Sequence, residues 1–164
     1  MLEVTVIDSF RGDYEFLSNF YPCLISHDGL EYKNLEAAFQ AAKCTSLNDR
    51  IKFTNLDAGE AKKIGRNVIL RRDWETVKYF VMTELLVIKF AFNPRLMRSL
   101  RATGSAMLIE GNSWHDNYWG NCTCPKCEAV PGYNHLGKLL MVLRDNTKIT
   151  QPQRQLQYRT VKRA

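Results

Sequence analysis

Apolar residues recur first with the alternation of strands and then with the three-and-four spacing of helices. Glu3 to Ile7 alternates and is β-branched, and Tyr14 to Phe20 is aromatic-rich without a period. Cys23-Leu24-Ile25-Ser26 runs into the turn residues His27-Asp28-Gly29. These features predict a small antiparallel sheet in the first thirty residues. Helices follow. Asn34 can cap an alanine-rich helix from Leu35 to about Cys44, and Asp57-Ala58-Gly59-Glu60 has the spacing of a capping box, with Gly65 as a stop. Asp73 can cap the longest helix, running to Phe92. Val77, Val81, Leu85 and Ile88, with Phe80 and Leu86, give it a broad apolar face. Asn93-Pro94 ends it and opens another helix that stops near Gly104. A last helix starts near Asn134, where Leu136, Leu139, Leu140 and Leu143 fit the i, i+3, i+4, i+7 rule.

A chain of 164 residues is most simply one domain with a sizeable core. The net charge of +6 is unevenly placed: residues 151–164 carry Arg154, Arg159, Lys162 and Arg163 and no acid, so the rest holds +2. The expected organisation is a body over residues 1–150 and a basic tail over 151–164. That tail either touches phosphates or simply solvates the chain. No stretch is apolar for long enough to span a membrane, and the acidic start does not resemble a signal peptide. The expected location is the cytoplasm, with the five cysteines reduced.

The densest candidate chemistry is Trp114-His115-Asp116-Asn117-Tyr118-Trp119-Gly120. It combines two indoles, a phenol, an imidazole, a carboxylate and an amide without a helical or strand period. Rings for stacking beside a carboxylate suit a base or a sugar; the plainer alternative is a loop whose tryptophans plug the core edge. In the Leu35–Lys43 helix, Glu36, Phe39, Gln40 and Lys43 share one face, so an acid, a ring, an amide and an amine stand in line, unless this is a solvated stripe. Ser18-Asn19-Phe20 and Asn134 add short polar groups for a ribose or base edge, and also suit turns and caps. Arg66, Arg71 and Arg72 could hold a phosphate. Cys122, Cys124 and Cys127 lie within six residues and look like ligands of a structural metal such as zinc, unless they are simply reduced, free thiols of an inserted loop. The fourth ligand is open among His115, His135, Cys23 and Cys44. No HxE or HExxH pattern points to catalytic zinc, and GxGxxG, Walker and GxSxG motifs are absent.

Phe16-Leu17-Ser18-Asn19-Phe20, the Leu35–Lys43 helix with Glu36, Arg72-Asp73-Trp74-Glu75, Asp116-Asn117-Tyr118-Trp119-Gly120 and Asn134-His135-Leu136-Gly137-Lys138-Leu139-Leu140-Met141 occur in that order. Together they resemble the NADAR family, also called YbiA-like, over roughly residues 5–147. The resemblance implies a predominantly helical α+β domain and an N-glycosidase linked to ADP-ribose and NAD metabolism. Some members resemble enzymes that cleave phosphoribosylamino-pyrimidine intermediates of riboflavin synthesis; others are similar to hydrolases that remove ADP-ribose from guanine bases of DNA.

Carried over by position, the resemblance implies Glu36, Lys43 and Asp116 as catalytic residues. Ser18, Asn19, Phe20, Phe39, Gln40, Arg72, Trp74, Tyr118, Trp119, Gly120 and Asn134 complete the substrate contacts. No cofactor is then required for catalysis. The expected partner is an ADP-ribosylated base or a nucleotide-like small molecule, with nucleic acid reached through the tail. The Cys122–Cys127 insertion departs from shorter members. The implied chemistry suits the residues: breaking a ribosyl C–N bond needs a carboxylate for the oxocarbenium-like state and an acid for the leaving base, tasks for Glu36 and Asp116. Lys43 offers imine formation at C1 of the ribose, or plainly a salt bridge. A binding module that reads ADP-ribose without cleaving it is the remaining alternative.

Overall fold

The computed structural model describes residues 5–146. Among the described residues six other helical segments accompany the longest one, and the strands are brief. A 3-10 helix (Gly12–Leu17) leads into a hairpin of β2 (Pro22–His27) and β3 (Leu30–Asn34). Asp28 and Gly29 both have positive φ, 50° and 76°, at the two-residue turn. Mirror-image hairpin turns require that, and their twist matches the strands. In this register Ile25 faces Tyr32, and both are buried.

The sheet differs from expectation in one respect. β1 (Val6–Ile7) does not join the antiparallel hairpin; it pairs in parallel with β4 (Met107–Leu108), a hundred residues away. A second parallel pair joins β5 (Gly111–Asn112) to β6 (Asn121–Cys122).

Helix α1 (Leu35–Ala41) begins where Asn34 Oδ1 accepts the Ala37 N–H at 2.8 Å. It ends sooner than the alanines suggest, so Lys43 lies just beyond it. All seven of its residues are buried. A short α2 (Leu47–Ile51), unforeseen in the sequence, precedes α3 (Ala58–Gly65), whose capping box is complete. Small residues bring α1 and α3 together: a Cβ on Gly65 would stand 1.9 Å from Gln40 Oε1.

Helix α4 (Trp74–Ala91) is the central element. Asp73 precedes it, but its carboxylate binds the Arg71 guanidinium (2.6 and 3.0 Å) rather than capping the helix. Val81, Met82, Leu85, Leu86 and Phe90 are buried, whereas Phe80 is 70% exposed, off the core face expected for it. Lys89 is fully buried instead, its ammonium donating to Ser18 O at 2.7 Å. Burial lowers its pKa to about 8. Helix α5 (Pro94–Ala102) starts at proline, and α6 (His135–Asp145) buries Leu136, Leu139, Leu140 and Leu143 against the core. No described helix is long and apolar enough to cross a membrane. The basic tail 151–164 lies outside the described residues.

Candidate active site

A cavity of about 800 Å³ opens between α1, α3, the start of α4 and the loops after the 3-10 helix and β4. That volume suits a nucleotide-sized ligand. One wall is α1. Its i, i+3, i+4 spacing sets Glu36, Phe39 and Gln40 on the cavity side, and Lys43 follows. Glu36 is 6% exposed and Gln40 5%, so this face is not a solvated stripe. Gln40 Nε2 donates to Glu36 Oε1 at 2.7 Å. Burial pushes the Glu36 carboxyl up; the Gln40 bond and the Lys62 and Lys43 ammonium groups oppose this only in part. Burial likewise lowers the pKa of Lys43, whose Nζ donates to Gly65 O at 3.2 Å.

The opposite wall is loop. Asp116 Oδ1 accepts the N–H groups of Tyr118 (3.1 Å) and Trp119 (2.8 Å), a turn that aims Trp119 at the cavity. Buried Asn112 ties the same loop: its Oδ1 accepts from Trp114 N (3.3 Å) and Asp116 N (3.1 Å), and its Nδ2 donates to Asp116 O (2.7 Å). Phe39 packs against both Trp74 (centroids 5.1 Å, 57° between planes) and Trp119 (5.6 Å, 89°). Both indoles therefore contact the same ring, Phe39, where the helix and loop walls meet. At the mouth, exposed Phe20 and Trp114 each lie 5.5 Å from the Lys62 ammonium.

Glu36, Lys43 and Asp116, together with Ser18, Asn19, Phe20, Phe39, Gln40, Trp74 and Trp119, thus line a single cavity. Four other residues expected to touch substrate do not line it. Arg72 is exposed. Tyr118 packs edge-on against Trp119 and His135, with the Lys78 ammonium 4.1 Å from its ring centre. Asn134 and Gly120 serve a residue the sequence reading missed, Glu110. Asn134, in the left-handed region (φ 51°), accepts the Glu110 N–H at 3.0 Å and donates to Leu108 O at 2.9 Å. A Cβ on Gly120 would meet Glu110 O at 2.1 Å.

Glu110 projects into the cavity, and no protein group bonds its buried Oε2. Burial, with the Asp116 and Glu36 charges, raises its pKa to about 7 against the pull of Lys62. A carboxyl poised there can donate a proton at neutral pH. Lys62, Lys78 and Arg11 also line the cavity and were not singled out in the sequence; Arg66 was. The Leu-Ile-Glu-Gly context of Glu110 carries no motif, and only its nearness to the aromatic stretch hinted at it.

Four carboxyls (Glu15, Glu36, Glu110 and Asp116), three lysine amines (Lys43, Lys62 and Lys78) and a set of rings line one nucleotide-sized cavity, the groups that acid–base chemistry on a base-bearing ligand calls for. Comparison with known proteins agrees with that class. The NADAR domain model matches residues 8–148. The N-glycosidase YbiA of Shigella boydii is 35% identical over 154 residues, 91% of this chain and 92% of that one. A riboflavin biosynthesis protein of Vibrio vulnificus is 31% identical over 149 residues, 89% of this chain but 39% of the longer relative. The NMR structure of the E. coli protein YbiA superposes with a TM-score of 0.72 at 33% identity, covering 88% of this chain and 85% of that one. The chain belongs to the NADAR family, and its class is that of the N-glycosidases.

Proposed function

We propose that the protein hydrolyses the bond between C1 of a ribose and a base nitrogen, and that its substrate is guanine carrying ADP-ribose in nucleic acid. One observation carries this reading: the only buried side-chain oxygens lacking a hydrogen-bond partner among the described residues are Asn19 Oδ1, Gln40 Oε1 and Glu110 Oε2, and all three belong to residues that line this cavity. Unpaired buried acceptors are costly, so the site suits a ligand rich in donors, such as a guanine edge and ribose hydroxyls. Arg11, Lys43, Lys62, Arg66 and Lys78 on the lining suit a diphosphate.

In this reading Glu110 gives its proton to the departing base nitrogen. The carboxylates of Glu36 and Asp116 offset positive charge developing on the ribose, and one of them takes the proton of the water that adds to C1. Lys43 supports a second route. Its lowered pKa favours the neutral amine, which can attack C1 and hold the opened sugar as an imine until water releases it. Borohydride separates the routes, since only the imine is reduced to a stable adduct on Lys43.

The test is mass analysis of products from two substrates, ADP-ribosylated guanosine and a phosphoribosylamino-pyrimidine. Free ADP-ribose and unmodified guanosine are expected. The riboflavin name of the Vibrio relative favours the pyrimidine as the alternative; cleavage of that compound alone would overturn the guanine assignment, and ligand binding without any product would mark a reader module. Arg154, Arg159, Lys162 and Arg163 are assigned to the nucleic-acid backbone. Truncation after Thr150 is expected to weaken salt-sensitive turnover on a modified oligonucleotide and spare the nucleoside.

A further inference from the structure

We propose that His115, Cys122, Cys124 and Cys127 hold one structural zinc ion, and that this ion fixes the loop presenting Trp114 and Asp116 to the cavity. The sequence left the fourth ligand open, and the fold selects it. One ligand atom from each of these four residues lies within 4.8 Å of all the others. His115 Nδ1 stands 3.2 Å from Cys124 Sγ and 3.4 Å from Cys127 Sγ. With Zn–N near 2.0 Å and Zn–S near 2.3 Å, a tetrahedral site separates such atoms by roughly 3.6 Å. His135, the other histidine considered, is stacked on Tyr133 and edged by Tyr79 and Tyr118. Cys23 lies in β2 and Cys44 three residues past the end of α1, and neither belongs to the cluster.

The backbone is arranged for thiolates as well. The N–H groups of His115 (3.4 Å) and Cys124 (3.5 Å) both point at Cys122 Sγ. Cys127 N–H and Glu128 N–H both close on Cys124 O, turning Cys124-Pro125-Lys126-Cys127 into a tight knuckle. His115 has φ of 69°, a conformation uncommon for a residue with a side chain. Four protein ligands leave no open position for a reacting water, so the ion is structural.

Its consequence for the site follows from chain order. His115 lies between Trp114 and Asp116, both on the cavity lining. Cys122 sits in β6, paired with the strand that carries Asn112. The ion would therefore tie the loop's midpoint to its own anchoring strand. This second half rests on the proposed function; metal binding itself does not.

The experiment uses the full chain. Metal analysis of protein purified under reducing conditions should find one zinc per chain. Cobalt exchange should give thiolate-to-metal charge transfer and the intense visible bands of a tetrahedral site. Cys124→Ser and Cys127→Ser should lose most of the bound metal while keeping the parent's far-ultraviolet circular dichroism. Chelation should lower Tm by about 5 °C or more and weaken ADP-ribose binding, read by tryptophan fluorescence, at least tenfold. Less than a tenth of an equivalent after zinc reconstitution, or unchanged metal content in both variants, overturns the site. Full occupancy with unchanged ADP-ribose binding after chelation overturns the latch. Full occupancy and intact binding response, with no base released from either substrate, leaves the latch standing and removes the proposed function.

Discussion

The two walls of the cavity hold similar chemistry by different means. The α1 wall is rigid through packing: every residue of the helix is buried, and Gly65 lets α3 press against Gln40. The loop wall has no regular element between β5 and β6. There the backbone N–H groups of Trp114, Asp116 and Glu110 are held by donating to the side-chain oxygens of Asn112 and Asn134. Packing tolerates little movement but asks for small residues. A hydrogen-bonded loop can carry more diverse side chains, but its geometry depends on a few amides. The acid whose pKa approaches neutrality, Glu110, belongs to the loop wall.

The largest expected effect comes from that wall. Asp116→Asn preserves an oxygen for the Tyr118 and Trp119 amides but removes the charge; turnover should fall about 10²–10⁴-fold with Tm nearly unchanged. A parent-like rate would remove Asp116 from the chemistry. Glu110→Gln should lower turnover and raise stability at once. The folded pKa of Glu110, about 7, lies above its unfolded value, so the folded state binds the proton more tightly. Stability attributable to this group is therefore full below the unfolded pKa and is lost as pH rises towards and past 7. At pH 8 the penalty is about 3 kcal/mol as an upper bound, from about 1.4 kcal/mol per pKa unit. Urea unfolding of the parent and E110Q at pH 5 and pH 8 checks this. A gap that does not widen with pH contradicts the burial of an ionising carboxyl.

Smaller effects test the two supports. Asn134→Gly keeps the left-handed backbone accessible while deleting the bonds to Glu110 N and Leu108 O. It should cost about 1–3 kcal/mol and lower turnover, because Glu110 is released from its place. Gly65→Ala should cost about 1–2 kcal/mol by overpacking and shift Gln40 off Glu36. If Gly65→Ala impairs turnover more than Asn134→Gly, the contrast between the walls is drawn the wrong way round.

What could be read in the sequence was local. The Asp28–Gly29 turn, the Asn34 cap, the Asp57–Glu60 box, Pro94 and the leucines of α6 each announce an element within a few residues. Pairing between two-residue strands, as in β1 with β4, leaves no period to read. Helix α4 is apolar on so many sides that sequence alone did not separate buried Lys89 from exposed Phe80. Glu36 and Asp116 stood out because they lie in dense motifs. Glu110 did not, since a carboxyl's burial is set by distant segments such as Asn134 and Gly120. Those two residues drew notice as substrate contacts, although the Asn134 bonds run to the Leu108 and Glu110 backbone and Gly120 approaches Glu110 O.

The most direct measurement is the pH dependence of kcat/KM for release of ADP-ribose from ADP-ribosylated guanosine, in the parent and in E110Q. Loss of the Glu110 proton should make the parent's rate fall about tenfold per unit above pH 7, and E110Q should be slow and flat across that range. A parent rate level from pH 6 to 9, with E110Q equally fast, would contradict acid catalysis from this cavity.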